Sequence, residues 1–293
     1  MKQIAIIGTT ASGKSDLSIE VALQTNSIIL SLDSLSVYKE IDIASAKPTK
    51  NEMCGIKHFG IDVVYPSYQF GVIDFIDCYQ EALSFAQNHQ KNLIITGGSS
   101  FYLKTLIDGL SQNDALVPKT IDIPHDEAYA KLTELDPTYM LKIDKNDTYR
   151  IEKAYNILLS SNQTPSEFFA SYQKQPIIKD NIEIFEISWD VEILRQRISI
   201  RTEKMVQNGL IDEVITLEKK YPRNVNSMKS IGIIEVLDYL DGKIAKKDLT
   251  QLISTHTAQL AKKQRTFNKT QLPPHQKNEI SALKKEIFKY FLV

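Results

Sequence analysis

The first residues with chemical potential form a motif suited to binding a diphosphate. Gly8-Thr9-Thr10-Ala11-Ser12-Gly13-Lys14-Ser15 is a complete G-x-x-x-x-G-K-[ST] sequence that follows an apolar run and opens a helical pattern, which is the context in which this motif forms a P-loop. Backbone amides and the positive end of the helix would surround the anion. Lys14 would span two phosphates and the Ser15 hydroxyl would ligate Mg²⁺.

Two further strand ends carry candidate chemistry. Asp33 follows the strand-like residues 28–31, and a carboxylate at that edge of a parallel sheet would lie near the bound phosphates. The Asp33 carboxylate would act either as a general base or as a partner of the metal, or it would cap the next turn. Gly97-Gly98-Ser99 follows the apolar residues 93–96, where an ordinary P-loop NTPase would carry an acidic residue. The glycines would permit close approach of the backbone to a substrate, and Ser99 would supply one hydrogen bond.

The elements that position these residues follow from the apolar patterns. Strands are predicted at 3–7, 28–31, 61–64, 93–96 and 183–187, and helices at 13–25, 72–88, 148–161, 191–208, 249–269 and 278–291. This alternation predicts an α/β fold, a P-loop NTPase-like parallel sheet flanked by helices. We predict a catalytic core over 1–112 and 181–293 with a helical C-terminal region, and a helical insertion domain at 113–180.

Composition limits the compartment and the class of protein. The 293 residues are 42% hydrophobic and 24% charged, which is ordinary for a soluble protein with a hydrophobic core. We find neither a run of roughly 20 apolar residues, as a membrane span needs, nor a signal-peptide pattern, so we expect a cytoplasmic protein without membrane association. Cys54 and Cys78 lack a Cys or His at metal-ligand spacing and are expected to be buried or idle thiols.

The net charge of −1 conceals an uneven distribution of charged residues. Residues 195–293 hold 19 Lys and Arg against 10 Asp and Glu, whereas residues 1–194 hold 16 against 26. The C-terminal third could therefore face phosphates. The alternative is that its charges are the solvated faces of helices.

The order and spacing of these residues resemble the tRNA dimethylallyltransferases over about residues 4–269. The P-loop alone is shared by many enzymes, but its combination with Asp33-Ser34 and Ala46-Lys47-Pro48 is specific. The resemblance also rests on Tyr38-Lys39, Asp42-Ile43, Gly97-Gly98-Ser99 with Tyr102, Asp136-Pro137, Asn146-Asp147, Arg150-Ile151, Thr164-Pro165-Ser166, Arg197-Ile198, Met205, Gly209-Leu210, Glu213-Val214, Ile231-Gly232 and Ala261-Lys262-Lys263-Gln264.

The resemblance implies transfer of a dimethylallyl group from dimethylallyl diphosphate to N6 of the adenosine 3′ of the anticodon, with release of diphosphate. The P-loop would hold the leaving group, while Mg²⁺ and Lys14 stabilise its developing charge. Asp33 would accept a proton from the amine as general base, and Ser99 would orient that amine. The family usually has threonine at this last position, and serine keeps the hydroxyl.

The resemblance also implies contacts to the tRNA anticodon stem-loop, because the target base must leave its stack to react. The candidates are Asp33, Ser34, Leu35, Ser36 and Ser99 at the channel mouth, Lys119 before the insertion, Tyr149, Arg150, Ile151, Glu152 and Lys153 within it, and Lys262, Lys263, Arg265 and Lys269 on the late helix. Arg150 and Lys153 could instead be solvated helix residues. Phe267 is interpreted as a core residue rather than as a platform for base stacking.

Several positions depart from the family pattern. Ile233 and Ile234 stand where the family usually has Tyr-Lys. The family also has an arginine pair near Lys263 and Lys269, and lysine keeps the charge of arginine but loses its bidentate fork. A tryptophan is absent near Phe267, and the insertion is shorter than is typical.

Two other functions fit a P-loop: a small-molecule or nucleotide kinase that uses ATP, and a non-catalytic, nucleotide-dependent RNA-binding module. We expect a monomer.

Overall fold

The structure, a computed structural model, describes residues 1–110, 123–171 and 175–292. The chain divides into two units by its internal contacts. Met1–Lys104 and Asp180–Val293 form the first, called here the sheet unit, and Thr105–Lys179 forms the second, called here the helical unit. Most of the predicted insertion at 113–180 belongs to the helical unit.

Six strands build the sheet of the sheet unit, in the spatial order β3-β2-β4-β1-β5-β6. They are β1 (Gln3–Gly8), β2 (Ser27–Leu32), β3 (His58–Phe59), β4 (Asn92–Gly97), β5 (Glu183–Ile187) and β6 (Gln276–Asn278). Every pairing is parallel. Ile7 of β1 and Leu32 of β2 both lie opposite Gly97 of β4, so the carboxyl ends of three strands meet at one edge, where ligands bind in such sheets.

Helices connect the strands and follow the sheet. They are α1 (Lys14–Gln24), α2 (Val72–Asn88), α3 (Ser100–Asp108), α4 (His125–Leu135), α5 (Pro137–Met140), α6 (Thr148–Ser161), α7 (Pro165–Ser171), α8 (Val191–Gln207), α9 (Leu210–Lys220), α10 (Ile233–Leu240), α11 (Lys246–Gln271) and α12 (Ile280–Leu292), with a short 3₁₀ turn at Asn226–Lys229. The parallel strands and helical connections confirm the predicted P-loop NTPase-like α/β fold.

The central strands are buried on both faces, as their continuous apolar runs require. Ile4 and Ile6 of β1 are fully buried in a cluster that includes Leu17 of α1 and Leu283 of α12. Successive strand residues point to opposite faces, and Gln3 on the other face accepts a hydrogen bond from Tyr79 of α2 at 3.1 Å. Helices therefore cover both sides of β1 and fix the strand that leads into the P-loop.

A second core of the sheet unit lies among its C-terminal helices. Leu210 and Val214 of α9, Ile233 of α10 and Ile253 of α11 are buried there with Ile41 from the segment after β2. Burying an aliphatic side chain of this size contributes roughly 1.5–3 kcal/mol. This core fixes the long helix α11, whose other positions reach the strand ends.

The helical unit has its own small core. Leu132 of α4, Met140 of α5, and Ile151 and Tyr155 of α6 are buried together. The side chain of Asp136 caps α5 by accepting from the amide of Tyr139 at 3.1 Å, and it also accepts from the amide of Ser166 at 2.7 Å. The predicted helix at 148–161 matches α6, with Leu158 and Leu159 only partly buried.

The structure corrects two details of the predicted strands. The strand predicted at 61–64 is wrong: Gly60 and Asp62 have φ of 72° and 54°, which breaks an extended chain, and Val64 makes an isolated bridge to Tyr38. The strand β3 lies just before, at His58–Phe59. The edge strand β6 was not predicted, because Gln276–Asn278 has only exposed polar residues and no apolar alternation.

Two other sequence features have a defined place. Cys54 is exposed and Cys78 is buried, and both are free thiols. Among the described residues, no helix has the length and hydropathy of a membrane span.

Candidate active site

The P-loop joins the end of β1 to the start of α1. Gly13, which caps α1, and Ala11 have φ of 89° and 61°, a left-handed conformation that glycine adopts without strain. The first turn of a helix leaves its amides without internal partners. Within the described residues, the amides of Ala11, Gly13, Lys14 and Ser15 make no protein hydrogen bond. The loop can therefore donate several hydrogen bonds to one anion.

Donors from neighbouring segments hold the carbonyl groups of this loop. The Trp189 indole donates to the Ser12 carbonyl at 2.9 Å, and Nε of Arg197 donates to the Ala11 carbonyl at 2.8 Å. The Arg197 guanidinium also lies 4.8 Å from the centroid of the Trp189 ring. Because the carbonyls are satisfied on one side, the loop backbone is fixed before an anion arrives.

A small cavity of about 90 Å³, called here the cradle, lies between the P-loop and the ends of β2 and β4. Its cations are Lys14, Lys47 and Arg201. Lys47 forms ion pairs with Asp42 at 2.7 Å and with Asp62, and its Nζ donates to the Tyr38 carbonyl at 3.0 Å. These contacts fix the segment after β2. Lys14 and Arg201 have no carboxylate within salt-bridge distance in the part of the chain that the structure describes.

Electrostatics in the cradle favour an anion. Burial, with the neighbouring Arg201 charge, lowers the pKa of Lys14 to about 7, and Asp33 partly opposes this. Burial also lowers the pKa of Arg201, again opposed by Asp33. Nζ of Lys14 donates to the Thr9 carbonyl at 2.6 Å, and Nη1 of Arg201 donates to the Thr10 hydroxyl at 3.2 Å. A bound anion would relieve the repulsion between the two cations and raise both pKa values.

Asp33 follows β2 and lies on the border of the cradle. Its Oδ1 accepts from the amides of Leu35 at 2.8 Å and Ser36 at 3.1 Å. The carboxylate therefore caps the turn, as one of the two interpretations expected. The cap uses one carboxylate oxygen, and the side chain lines both the cradle and a larger cavity, so its second oxygen can serve chemistry.

The end of β4 approaches the same point. The Ser99 amide donates to the Leu32 carbonyl at 2.9 Å, and the Ser99 hydroxyl accepts from the Ser34 amide at 3.3 Å. A Cβ at Gly97 would lie 2.4 Å from the Leu32 carbonyl oxygen, so only glycine permits this approach. The loops that carry Asp33 and Ser99 are thus directly bonded to each other.

A second, larger cavity of about 640 Å³, called here the main cavity, shares Asp33 and Arg201 with the cradle. Its wall combines the polar strand ends with apolar side chains of α8, α11 and the loop before α10, including Ile198, Met205, Ile231, Ile253 and Leu260. Tyr102 also lines it and stacks on Phe75 at 4.6 Å. Burial raises the pKa of Tyr102 to about 12, so this phenol stays protonated.

Phe267 faces the main cavity from α11 and is only partly buried. Its interpretation as a core residue is therefore wrong. A helix turns by about 100° per residue, and positions 253, 257, 260, 264 and 267 share the face that lines this cavity.

The basic residues of α11 do not form one surface. Lys263 is exposed at the main cavity, whereas Lys262 and Arg265 line a second groove of about 630 Å³ on the opposite face of the helix, beside Arg195 of α8. Lys269 is exposed and lines neither. RNA contacts that used Lys263 together with Lys262 and Arg265 would therefore lie on two separate surfaces of α11.

The remaining predicted RNA contacts differ in their exposure. Tyr149, Arg150, Glu152 and Lys153 of α6 are exposed, with Arg150 bonded to Asp147 at 3.3 Å and Lys153 lying 5.6 Å from the Tyr149 ring centroid. Ile151 is fully buried in the helical unit, so a contact through its side chain is excluded. Lys119 lies outside the described residues.

At the channel mouth Ser34 is exposed and Leu35 is partly buried. Ser36 is buried, with its hydroxyl 3.1 Å from that of Ser31. Ser36 nevertheless lines the cradle, whereas Ser34 and Leu35 line the main cavity.

The structure brings two residues to the site that were not predicted there. Arg201 was missed because one arginine among the charged residues of α8 carries no local signal. Gln264 was quoted only as part of a motif, but it lies between the cradle and the main cavity and lines both. Its position follows from the packing of α11, which sequence spacing alone does not give.

The donor atoms of the cradle suit Mg²⁺ that is shared with a bound phosphate better than they suit a metal ion held by protein side chains alone. In the described part of the chain, no three His, Cys, Asp or Glu side chains cluster at metal distance. Ser15, at the N terminus of α1, is exposed and lines the cradle beside Lys14. Mg²⁺ commonly takes few protein oxygens and completes its shell with substrate phosphates and water, so these residues fit the ion.

The chain is similar to known proteins over most of its length. The family model of the IPP transferases matches residues 36–271. A tRNA dimethylallyltransferase of Aliarcobacter butzleri is 54% identical over 293 residues, which covers 100% of both chains. One of Sulfurimonas denitrificans is 52% identical over 281 residues, covering 92% of this chain and 93% of the relative.

Solved structures show the same similarity. The full-length tRNA isopentenylpyrophosphate transferase from Bacillus halodurans has a TM-score of 0.74 and 25% identity, covering 99% of this chain and 95% of its own. A eukaryotic dimethylallyltransferase acting on tRNA has a TM-score of 0.80 and 27% identity, covering 92% of this chain and 70% of its own. The resemblance predicted from the motifs is confirmed, and the chain belongs to the IPP transferase family.

Proposed function

We propose that this protein transfers a dimethylallyl group from dimethylallyl diphosphate to N6 of the adenosine 3′ of the anticodon in tRNAs, and releases diphosphate. Its family and its similarity to proteins named tRNA dimethylallyltransferase make it a prenyltransferase that acts on tRNA. The observation that carries the proposal is the position of Asp33, which borders both the cradle and the main cavity. A kinase is not favoured, because the similar proteins are transferases of this kind.

The P-loop suits the diphosphate of the donor. The amides of Ala11, Gly13, Lys14 and Ser15 can donate to its oxygens, and Lys14 and Arg201 supply charge. Mg²⁺, held by Ser15 and the phosphate oxygens, would supply further positive charge when bound. These groups stabilise the leaving diphosphate more strongly as its negative charge grows, which lowers the barrier to breaking the allylic C–O bond.

The main cavity suits the two organic groups. Its apolar wall can hold the dimethylallyl chain, and its polar edge near Asp33 and Ser99 can hold the adenine amine. The amine nitrogen forms a bond to the allylic carbon, the C–O bond breaks, and its electron pair leaves with diphosphate. The N6 proton passes to the Asp33 carboxylate, while the Ser99 hydroxyl orients the amine.

Contacts to the tRNA anticodon stem-loop are proposed for exposed residues of both units. Ser34 and Lys263 lie at the main cavity, and Tyr149, Arg150 and Lys153 are exposed on α6. Aromatic and cationic side chains are the groups that stack on bases and neutralise phosphates. Phe267 joins this set, because its ring lines the cavity that would receive the base.

A transfer assay tests the proposal. Unmodified tRNA is incubated with radiolabelled dimethylallyl diphosphate, and in parallel with labelled ATP and a mixture of nucleosides and nucleotides. We expect prenyl label in the tRNA at one adenosine and no transfer from ATP. Label moving from ATP to a metabolite would support a kinase, and tRNA retained without turnover would support a binding module.

Two accompanying features stay predictions. We expect the protein to act in the cytoplasm and as a monomer. Light scattering coupled to size-exclusion chromatography measures the mass directly, and a value near 33.3 kDa would agree with a monomer.

A further inference from the structure

The side chain of Gln264 joins the two loops to which the substrates are assigned. Its Oε1 accepts from the Thr10 amide of the P-loop at 2.9 Å, and its Nε2 donates to the Gly98 carbonyl at 3.1 Å. Gly98 immediately precedes Ser99. A primary amide can accept through oxygen and donate through nitrogen, so one side chain bridges the loop for the leaving group and the loop for the amine.

The bridge leaves the anion-binding amides alone. Gln264 occupies the amide of Thr10, while the amides of Ala11, Gly13, Lys14 and Ser15 keep no protein partner in the described part of the chain. Gln264 is thus not a substitute for the anion. Its bond to Thr10 fixes the loop from the side.

Gly98 provides the space for this amide. A Cβ at position 98 would lie 2.5 Å from Nε2 and 3.4 Å from Cδ of Gln264. The next atom, the Gly8 carbonyl oxygen, would be at an ordinary contact distance of 3.7 Å. A methyl group at this position therefore conflicts with one side chain, that of Gln264, and can be accommodated if the amide moves away.

Buried contacts fix the helix that presents Gln264. One turn later, Nδ2 of Asn268 donates to Oε1 of Glu186 at 3.2 Å, and both residues are buried in the sheet unit. One turn earlier, Ala261 is buried against α8. Because α11 is held on both sides of Gln264, the amide is presented in one place and need not be ordered when substrates bind.

We propose that Gln264 is a positioning residue that holds the P-loop against the β4 loop and thereby sets the distance between the allylic carbon and the adenine amine. The proposal rests on the proposed function. Reacting atoms must lie about 3–3.5 Å apart, and a displacement of about 1 Å can cost on the order of 100-fold in rate. A link between the two loops acts on that distance rather than on the affinity of either substrate.

The first test separates rate from affinity. Gln264→Ala should lower kcat on the order of 10- to 100-fold, while the Kd for diphosphate changes by less than about threefold, because the free amides, Lys14 and Arg201 remain. Thr266→Ala is the matched control, since Thr266 is exposed on the same helix and lines neither the cradle nor the main cavity. An unchanged kcat in Gln264→Ala overturns the proposal.

The second test uses Gly98 to move the same amide. Gly98→Ala should reproduce the kcat loss of Gln264→Ala, and the double variant should be no slower than either single one, because the shorter side chain removes the conflict. Non-additive effects are expected only of residues that act through one contact. Losses that multiply in the double variant would mean separate roles and would overturn the proposal.

Amide hydrogen exchange separates this inference from the proposed function, because it needs no substrate. The Thr10 amide should be protected in the wild-type protein and in Thr266→Ala, and should lose protection in Gln264→Ala. Equal exchange rates of the Thr10 amide in all three proteins would contradict the bridging role of Gln264, even if kcat falls. If the wild-type protein fails to prenylate tRNA, the proposed function is wrong. The exchange result would then still show whether Gln264 holds the Thr10 amide.

Discussion

The cradle and the main cavity differ in how the chain builds them. The cradle, of about 90 Å³, takes its anion-binding amides from one contiguous motif, residues 8–15, and strand ends with a few side chains from other segments, such as Arg201 and Gln264, complete its wall. The main cavity, of about 640 Å³, takes side chains from segments far apart in sequence, including Leu35, Tyr102, Ile198 and Phe267. The difference teaches that anion binding can be encoded locally by backbone geometry, whereas the site for the organic groups exists only after the helices have packed.

The residues shared by the two cavities lie where the reaction is proposed to occur. Six of the described residues line both: Thr10, Asp33, Ser45, Gly98, Arg201 and Gln264. If the cavities have separate duties, a change in one should affect one substrate, whereas a change at Asp33 or Gln264, which lie between the groups that react, should affect the transfer itself. The predictions below test this separation.

The largest effect is expected at Asp33. Asp33→Ala and Asp33→Asn should both lower turnover about 100-fold or more, the scale of a positioned general base, with donor affinity retained. Asparagine keeps an acceptor for the amides of Leu35 and Ser36 but cannot take a proton. Single-turnover prenylation of tRNA measures the rate, with the exposed Asp77 changed to Ala as control. Normal turnover in Asp33→Asn would reduce Asp33 to a turn cap.

A smaller and more selective loss is expected at Arg201. Arg201→Ala should weaken diphosphate binding by about 10- to 100-fold, since charge-assisted hydrogen bonds contribute about 1.5–3 kcal/mol. Calorimetric titration with diphosphate measures it. Arg195→Ala is the control, because Arg195 is on the same helix but lines the second groove. Equal losses in the two variants would indicate a general effect of charge instead of a contact in the cradle.

The pH dependence of diphosphate binding should show the titration of Lys14. Its pKa in the free protein is about 7, so the side chain is charged below pH 7 and loses its proton as pH rises through that value. Binding that requires the charge should weaken about tenfold between pH 6 and pH 8, relative to Lys14→Arg, in which the charge persists. A constant ratio of the two Kd values across this range would contradict the assignment.

The smallest effects are expected from the cations of α11. Lys263→Ala, at the main cavity, should raise the Kd for tRNA about two- to fivefold, the range for one exposed charge interaction. Lys262→Ala and Arg265→Ala, in the second groove, should each have a smaller effect. Binding is measured by fluorescence anisotropy at low and moderate salt. A larger effect from the second groove would place the RNA on the opposite face of α11.

The same division between local and assembled structure explains what the sequence could predict. The sequence predicted several features closely, because periodic apolar patterns and a contiguous motif are local signals. These are the P-loop, the helices at 72–88 and 148–161, and the strand at 183–187. The strand predicted at 61–64 failed where left-handed residues interrupt an apolar run. The polar strand β6 depends on pairing with β5, a contact distant in sequence.

The candidate site shows the same limit at the level of single residues. Lys14 and Asp33 could be named from motif and strand end, whereas Arg201 and Phe267 reach the site only through the packing of α8 and α11. The four cations near the end of α11 were close in sequence, but helical geometry puts Lys262 and Lys263 in different cavities. Proximity along a helix is therefore a poor guide to a shared surface.

The contact at Gly97 has a consequence for how the site could change during evolution. With a Cβ there only 2.4 Å from the Leu32 carbonyl oxygen, any mutation at position 97 must separate the ends of β2 and β4. That shift would reach Asp33 and Ser99 together, although neither would have been altered. The absence of a side chain at Gly97 thus sets the spacing between Asp33 and Ser99. Natural selection should therefore remove substitutions at position 97 as strictly as it removes loss of the Asp33 carboxylate.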